Sequence, residues 1–173
     1  MIIMGKKLVI LILSFVFFIA VCCCQRNQGI TKEQLLEQKE KVAHQLAVDS
    51  FVTALNMLDS LYFVCPHDPQ IPFLKGVAKT AMQRLDEAKV DFKLSAHKYD
   101  SLMKERPSYS DAINYAFCIL LAEDSLHYAS TVDSLSQLKV YKENGNLMRL
   151  YEWKMNKEDI IPEIIEGFKE NYP

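Results

Sequence analysis

The side chains best suited to metal or nucleophilic chemistry are four histidines, His44, His67, His97 and His127, and five cysteines. Their spacing argues against both chemistries. A metal-binding helix presents two histidines four residues apart, so that both imidazoles leave one face toward a single ion; no two histidines here have that spacing. Cys65-Pro66-His67-Asp68 collects three ligand types in one stretch. A metal site needs three or four converging ligands, and nothing nearby completes this one, so the stretch reads as a Pro-rich interhelical loop. Beyond the N-terminus the glycines, Gly29, Gly76, Gly145 and Gly167, stand singly. That excludes a nucleophile elbow and a phosphate-cradling loop, which need clustered glycines. Glu123-Asp124 and Glu158-Asp159 pair carboxylates, but at predicted helix starts, where acids complement the helix dipole. No catalytic residue, metal or cofactor is expected. Tyr99, Tyr109, Tyr115, Tyr128, Tyr141, Tyr151 and Trp153 crowd the second half. They are expected to pack between helices with their polar tips wet, although sugar-binding sites use such rings as stacking platforms.

Three adjacent cysteines, Cys22, Cys23 and Cys24, end an apolar run from Leu8 to Val21 that follows Lys6 and Lys7. A basic start, an apolar stretch and a small-residue boundary make an export signal. The run is 14 residues, short of the roughly 20 that span a bilayer. Ile19-Ala20-Val21-Cys22 resembles the lipobox of bacterial lipoproteins. That resemblance implies cleavage before Cys22 and acylation of its sulfur and new N-terminus, with Cys23 and Cys24 as alternatives because Val21 is bulky for its place. An uncleaved signal-anchor helix is the other reading. Both put residues 25–173 outside the cytoplasm, because the lysines stay inside. The expected division is a signal peptide over 1–21 and a lipidated cysteine with tether over 22–31. The tether carries no acid before Glu33. Some bacterial lipoproteins reach the cell surface through an acidic run at that place, so a periplasm-facing anchor, at the outer membrane, is expected here.

The 173 residues hold 20 Lys+Arg against 22 Asp+Glu, and all but two of those charges follow residue 24, leaving that part at −4. A mildly acidic domain does not neutralise phosphates, so nucleic acid is not an expected partner. Half of the residues are hydrophobic, enough for one core. Apolar residues recur at steps of three and four from Thr31 onward and nowhere alternate, which predicts an all-α fold. The helices are expected at 31–47, 50–64, 70–83, 86–105, 109–122, 124–143, 146–156 and 159–171. Pro66, Pro69 and Pro72 break the second from the third. Asp86 is a candidate N-cap, and Asn144-Gly145-Asn146 a candidate αL C-cap. Cys65 and Cys118 are expected as buried free thiols.

A period runs through these helices. Ala54 and Ala88 are 34 residues apart, Pro66 follows Ala54 by 12, Gly76 precedes Ala88 by 12, and Phe92 follows Ala88 by four. The set resembles a tetratricopeptide repeat over residues 35–143, with small residues where antiparallel helices cross and Pro at the exit. Pro107 comes seven residues late, two helical turns, which predicts an extended helix; Pro107 to Ala129 restores the 22-residue interval of Pro66 to Ala88. Val42 and Phe117 stand where the first and third units would carry Gly. The resemblance implies antiparallel pairs stacked as a short right-handed solenoid over 32–143, with capping helices over 144–173. In the last, Ile160, Ile161, Ile164, Ile165 and Phe168 form one apolar stripe, and Pro162 is placed in its first turn.

Tetratricopeptide arrays bind partners along the inner faces of their first helices. The repeat phase puts Leu36, Lys39, Ala43 and Leu46, then Phe73, Val77 and Thr80, then Asn114, Cys118 and Leu121 on that face. Of these, Leu36, Lys39, Phe73, Val77, Asn114, Cys118 and Leu121 are the candidate partner-binding groove. Ala43, Val77 and Cys118 take the places where carboxylate-clamping members carry Asn, so no such clamp is expected. The sequence therefore reads as a lipid-anchored scaffold or adaptor that binds another envelope protein or peptide through an apolar groove. The alternative is an envelope lipoprotein taking a glycan or peptide ligand.

Overall fold

A computed structural model describes residues 30–122, 125–137 and 157–172. These form seven helices and, among the described residues, no strand: α1 Lys32–Ala47, α2 Phe51–Val64, α3 Gln70–Ala81, α4 Leu85–Glu105, α5 Tyr109–Ala122, α6 Ser125–Gln137 and α7 Lys157–Asn171. The fold is all-α. The apolar run 8–21, Cys22, Cys23 and Cys24, the predicted helix 146–156, and Tyr141, Tyr151 and Trp153 lie outside the described residues.

Helix α1 starts at a capping box. Thr31 Oγ1 accepts from the Gln34 backbone N–H, and Gln34 Oε1 accepts from that of Thr31. It ends in a Schellman turn: the Ser50 N–H donates to Gln45 O at 2.8 Å and the Asp49 N–H to Leu46 O at 3.3 Å. Asp49 takes the left-handed conformation there, φ 56°. The α3–α4 turn repeats these bonds 34 residues on. The Arg84 N–H donates to Lys79 O at 2.8 Å, the Gln83 N–H to Thr80 O at 2.9 Å, and Gln83 has φ 61°. The two helical hairpins thus share one turn geometry. This turn also moves a boundary: Arg84 occupies the N-cap of α4, and Asp86 lies in the first turn instead of capping it. The left-handed Gln83 reverses the chain early enough for the helix to start at Leu85.

The packing of the hairpins follows the same phase. Ala54 and Ala88 are buried, at 0% and 2% exposure. Gly76 lies under the Phe92 ring so closely that a Cβ added to it would come within 2.5 Å of Cε1. Thirty-four residues earlier the corresponding places hold Val42 and Leu58, both fully buried in one cluster. The bulk has moved across the interface, from one partner to the other. Helix α4 has 21 residues against 14 in α2, so the late Pro107 does mark a helix two turns longer. Ser95 Oγ, on this long helix, donates to the Pro69 carbonyl at 2.7 Å and accepts from Cys118 Sγ at 3.2 Å, tying α4 to the start of α3 and to α5.

The third pair departs from the phase. Ala129 is exposed, and Tyr128, Val132 and Leu135 face inward on α6. The inward register has slipped by one residue, because Val132 and Leu135 set which side of α6 meets Ala112 and Ala116 of α5. Helix α7 begins at Lys157, so Pro162 falls in its second turn, not its first. Each helix from α1 to α6 packs on the next, whereas α7 turns back to pack chiefly on α1 and α3. The expected end cap is therefore a helix laid across the first helices, where its apolar stripe finds apolar side chains on several elements at once.

Candidate functional site

The face expected to hold a partner is partly filled by α7. Ile160 and Ile161, 2% and 5% exposed, share a cluster with Val77, Phe92 and Leu121. Further along, Phe168 packs on the cluster of α1, α2 and α3 that contains Leu46 and Ile71, and Lys169 Nζ lies 3.6 Å from Asp49 Oδ2. Val77, Cys118 and Leu121 are consequently core residues, at 0%, 0% and 4% exposure, and are not open to a partner. The physical reason is that α7 and the pairing of α4 with α5 remove the same apolar surface from water that a partner would have covered. Ala43 and Leu46 are buried as well, and Thr80 spends its hydroxyl on the Gly76 carbonyl at 2.9 Å.

The other four candidates remain together. Leu36, Lys39, Phe73 and Asn114 line one cavity of about 310 Å³, together with Tyr99, Phe168 of α7 and Tyr172 just after it. Leu36 stands at its rim, 59% exposed. The Phe73 ring is braced edge-on against Phe92, with centroids 5.9 Å apart. Tyr99 is buried, and burial is the main force raising its phenol above the usual range, with Cys118, Asp68 and Asp111 adding to it and a hydrogen bond with Asn114 opposing. The phenol is thus neutral at physiological pH. The cavity combines apolar walls from Leu36, Phe73, Leu74 and Phe168 with a polar side of Lys39, Glu40, Gln70 and the Tyr99–Asn114 pair.

Lys39 is near this cavity but not free to serve it. Its ammonium is 2.5 Å from Asp68 Oδ2 and donates to Gln70 Oε1 at 2.7 Å. Asp68 Oδ1 in turn accepts from the Gln70 backbone N–H at 2.9 Å, capping α3 where Pro69 cannot. Lys39 is a clip between α1 and the start of α3. Asp68 thereby has its role in the loop read as Pro-rich.

The two described thiols are not activated. The Cys118 thiol is pushed up to about 12 by burial, with its hydrogen bond to Ser95 acting the other way. Cys65 is half-buried, not fully as expected, because it ends α2 at a loop; burial and Asp68 raise its thiol while Lys39 opposes them. Both thiols are free. The histidines His44, His67, His97 and His127 are all exposed. Among the described residues no group of three or more His, Cys, Asp or Glu side chains converges.

Among the lining residues absent from the candidates are Glu40, Gln70, Leu74 and Tyr172, and of these Tyr172 is the one with a sequence signal. It continues the stripe of Ile164 and Phe168 at four-residue steps, a signal present in the sequence. Tyr99, grouped with the aromatics, emerges as a cavity residue; Tyr115 and Tyr128 pack between helices. No family model, curated protein or solved structure matches this chain.

Proposed function

We propose that this chain is a lipid-anchored helical-repeat scaffold of the bacterial cell envelope, facing the periplasm, which receives a segment of another envelope protein beside α7. The reading takes the paired hairpins as units of a short tetratricopeptide-like right-handed solenoid. The observation that carries it is the cavity of about 310 Å³ in which Leu36, Phe73 and Asn114, three residues of one predicted inner face, meet Tyr99 and the end of α7. Its walls suit an apolar side chain, and the Tyr99–Asn114 pair suits one backbone polar group of an extended or helical peptide. The anchor is Cys22, or Cys23 or Cys24, and no cofactor is invoked.

The test is a photoreactive amino acid placed at Leu36 in intact cells, with Val90, exposed on α4, as the control position. A discrete protein adduct at Leu36 and none at Val90 is the expected result. Equal labelling at both positions argues against a partner in this cavity, and captured glycan transfers the reading to a ligand-binding lipoprotein. Mass spectrometry of the mature N-terminus should find an acylated cysteine among the three; a chain still beginning at Met1 rejects the lipoprotein part.

A further inference from the structure

The first hairpin leaves an open, largely apolar trough on its outer side. Ile30, Met57, Leu61 and Val64 line a space of about 660 Å³ between the start of α1 and the end of α2, with Gln34, Glu37, Gln38 and Ser60 along its polar edge. Beside it Phe63 is 77% exposed and Val64 49%. Other large apolar side chains are exposed elsewhere, among them Val48, Val52, Leu85 and Val90, but Phe63 is the one aromatic in that set among the described residues.

What lies beyond Ile30 says what this surface meets. Ile30 is eight residues from Cys22 and six from Cys24. A fully extended eight-residue tether reaches at most about 29 Å, little more than the roughly 21 Å length of a 14-residue helix such as α2. The tether Gln25-Arg26-Asn27-Gln28-Gly29 is polar and has nothing with which to fill an apolar trough. The apolar run 8–21 is either removed by cleavage or committed to the bilayer. The one carboxylate lining the trough, Glu37, is neutralised by Lys41, whose Nζ lies 2.7 Å from its Oε1. Such a surface does not repel a lipid interface, and an aromatic ring is the side chain that partitions best into one.

We propose that the Ile30 end of the molecule rests on the lipid bilayer, with Phe63 and Val64 inserted at the interface and the trough closed by lipid. The proposal depends on membrane attachment through the N-terminus. It fixes the orientation of the domain: the α1–α2 and α3–α4 turns, with Asp49 and Gln83, point away from the membrane.

The test uses the full chain, purified from bacterial membranes and reconstituted in vesicles of phosphatidylethanolamine and phosphatidylglycerol carrying brominated acyl chains. Phe63→Trp adds a fluorophore at the contact, and Val90→Trp adds one near the opposite end; the emission of Trp153 is subtracted with the unsubstituted chain. Co-sedimentation with vesicles reports attachment separately. Bromolipid should quench the added emission at least twofold more at position 63 than at position 90. Attachment with equal quenching at the two positions, or with none, overturns the orientation while leaving the anchor standing. Emission at position 63 that is already blue-shifted without vesicles and insensitive to bromolipid shows that protein covers the patch, and also overturns it. Failure to sediment removes the anchor itself, and the proposal with it.

Discussion

Gly76→Ala probes the contact that sets the spacing of α3 and α4. The new methyl carbon would lie 2.5 Å from Phe92 Cε1 and 2.7 Å from Cδ1 and Cζ, all distances that force movement. Phe92 is 2% exposed, and its ring is wedged against Phe73, so it cannot swing into solvent. Overpacking of this kind costs about 1–3 kcal/mol. Alanine returns up to about 1 kcal/mol of helix propensity over glycine. The net expectation is a destabilisation of about 1–2 kcal/mol, or a melting temperature lower by roughly 2–8 °C at 2–4 °C per kcal/mol. Phe92→Leu alone leaves a gap and costs about 1–2 kcal/mol by comparison with other core truncations. Together the substitutions nearly conserve volume and shift bulk toward α3, the distribution that Val42 and Leu58 show in the first hairpin. The pair should cost under about 1.5 kcal/mol, less than the two single losses added. Unfolding of the full chain in mild detergent, followed by circular dichroism, measures all three variants. If Gly76→Ala stabilises the protein, or if the two losses simply add, the ring does not set this crossing and the correspondence with Val42 and Leu58 has no energetic content.

Three other perturbations read different parts of the fold. Gln83→Gly removes the left-handed strain of a β-carbon, about 1–2 kcal/mol, against a glycine entropy cost of about 0.5–1 kcal/mol; a small rise in melting temperature is expected, and a fall would deny the strain. With a thiol pushed up to about 12, Cys118 carries roughly one ten-thousandth of its population as thiolate at pH 8. Alkylation mapped by peptide mass spectrometry should therefore mark Cys65 and spare Cys118, with Cys118 labelling appearing only on unfolding or as pH rises toward 12. Ile161→Ala should cost about 2–5 kcal/mol as a core truncation, whereas Phe168→Ala, at the half-buried end of the same stripe, should cost distinctly less; equal losses in urea unfolding would contradict the graded burial of α7.

The helices and the first two hairpins were legible because their signals are local. Apolar steps of three and four, the prolines at 66, 69 and 72, and the 34-residue interval between Ala54 and Ala88 all act within a turn or a hairpin. The turns were less visible. Asp49 tolerates a left-handed backbone, but Gln83 has no such preference, and its conformation follows from closing the same Schellman turn. Lys39 looked like a groove cation because its partner, Asp68, is 29 residues away and reaches it only after α2 reverses the chain. Ala129 had the right interval from Pro107 but the wrong face, since the side of α6 that packs is decided by Val132 and Leu135 meeting α5. Intervals carry a face only as long as the intervening loop keeps its length.

The placement of α7 illustrates the remaining limit. Its stripe was evident, but a stripe specifies that a helix will bury one side and not against what. The first helices offered the larger reward: Val77, Leu121 and the groove side of α1 were already gathered by the hairpins, while α6 had turned Val132 and Leu135 inward to α5. Helical hairpins with an apolar face need that face covered. Here the closure comes from within the chain and is uneven, tight at Ile160 and Ile161 and looser at Phe168 and Tyr172. The loose end is where the cavity with Leu36, Phe73, Tyr99 and Asn114 persists. A partner entering there would meet one wall supplied by α7, so its affinity would depend on how α7 is seated as well as on α1, α3 and α5. Substitutions that loosen Ile160 or Ile161 should therefore weaken partner capture at a distance from the cavity, through the wall they hold in place.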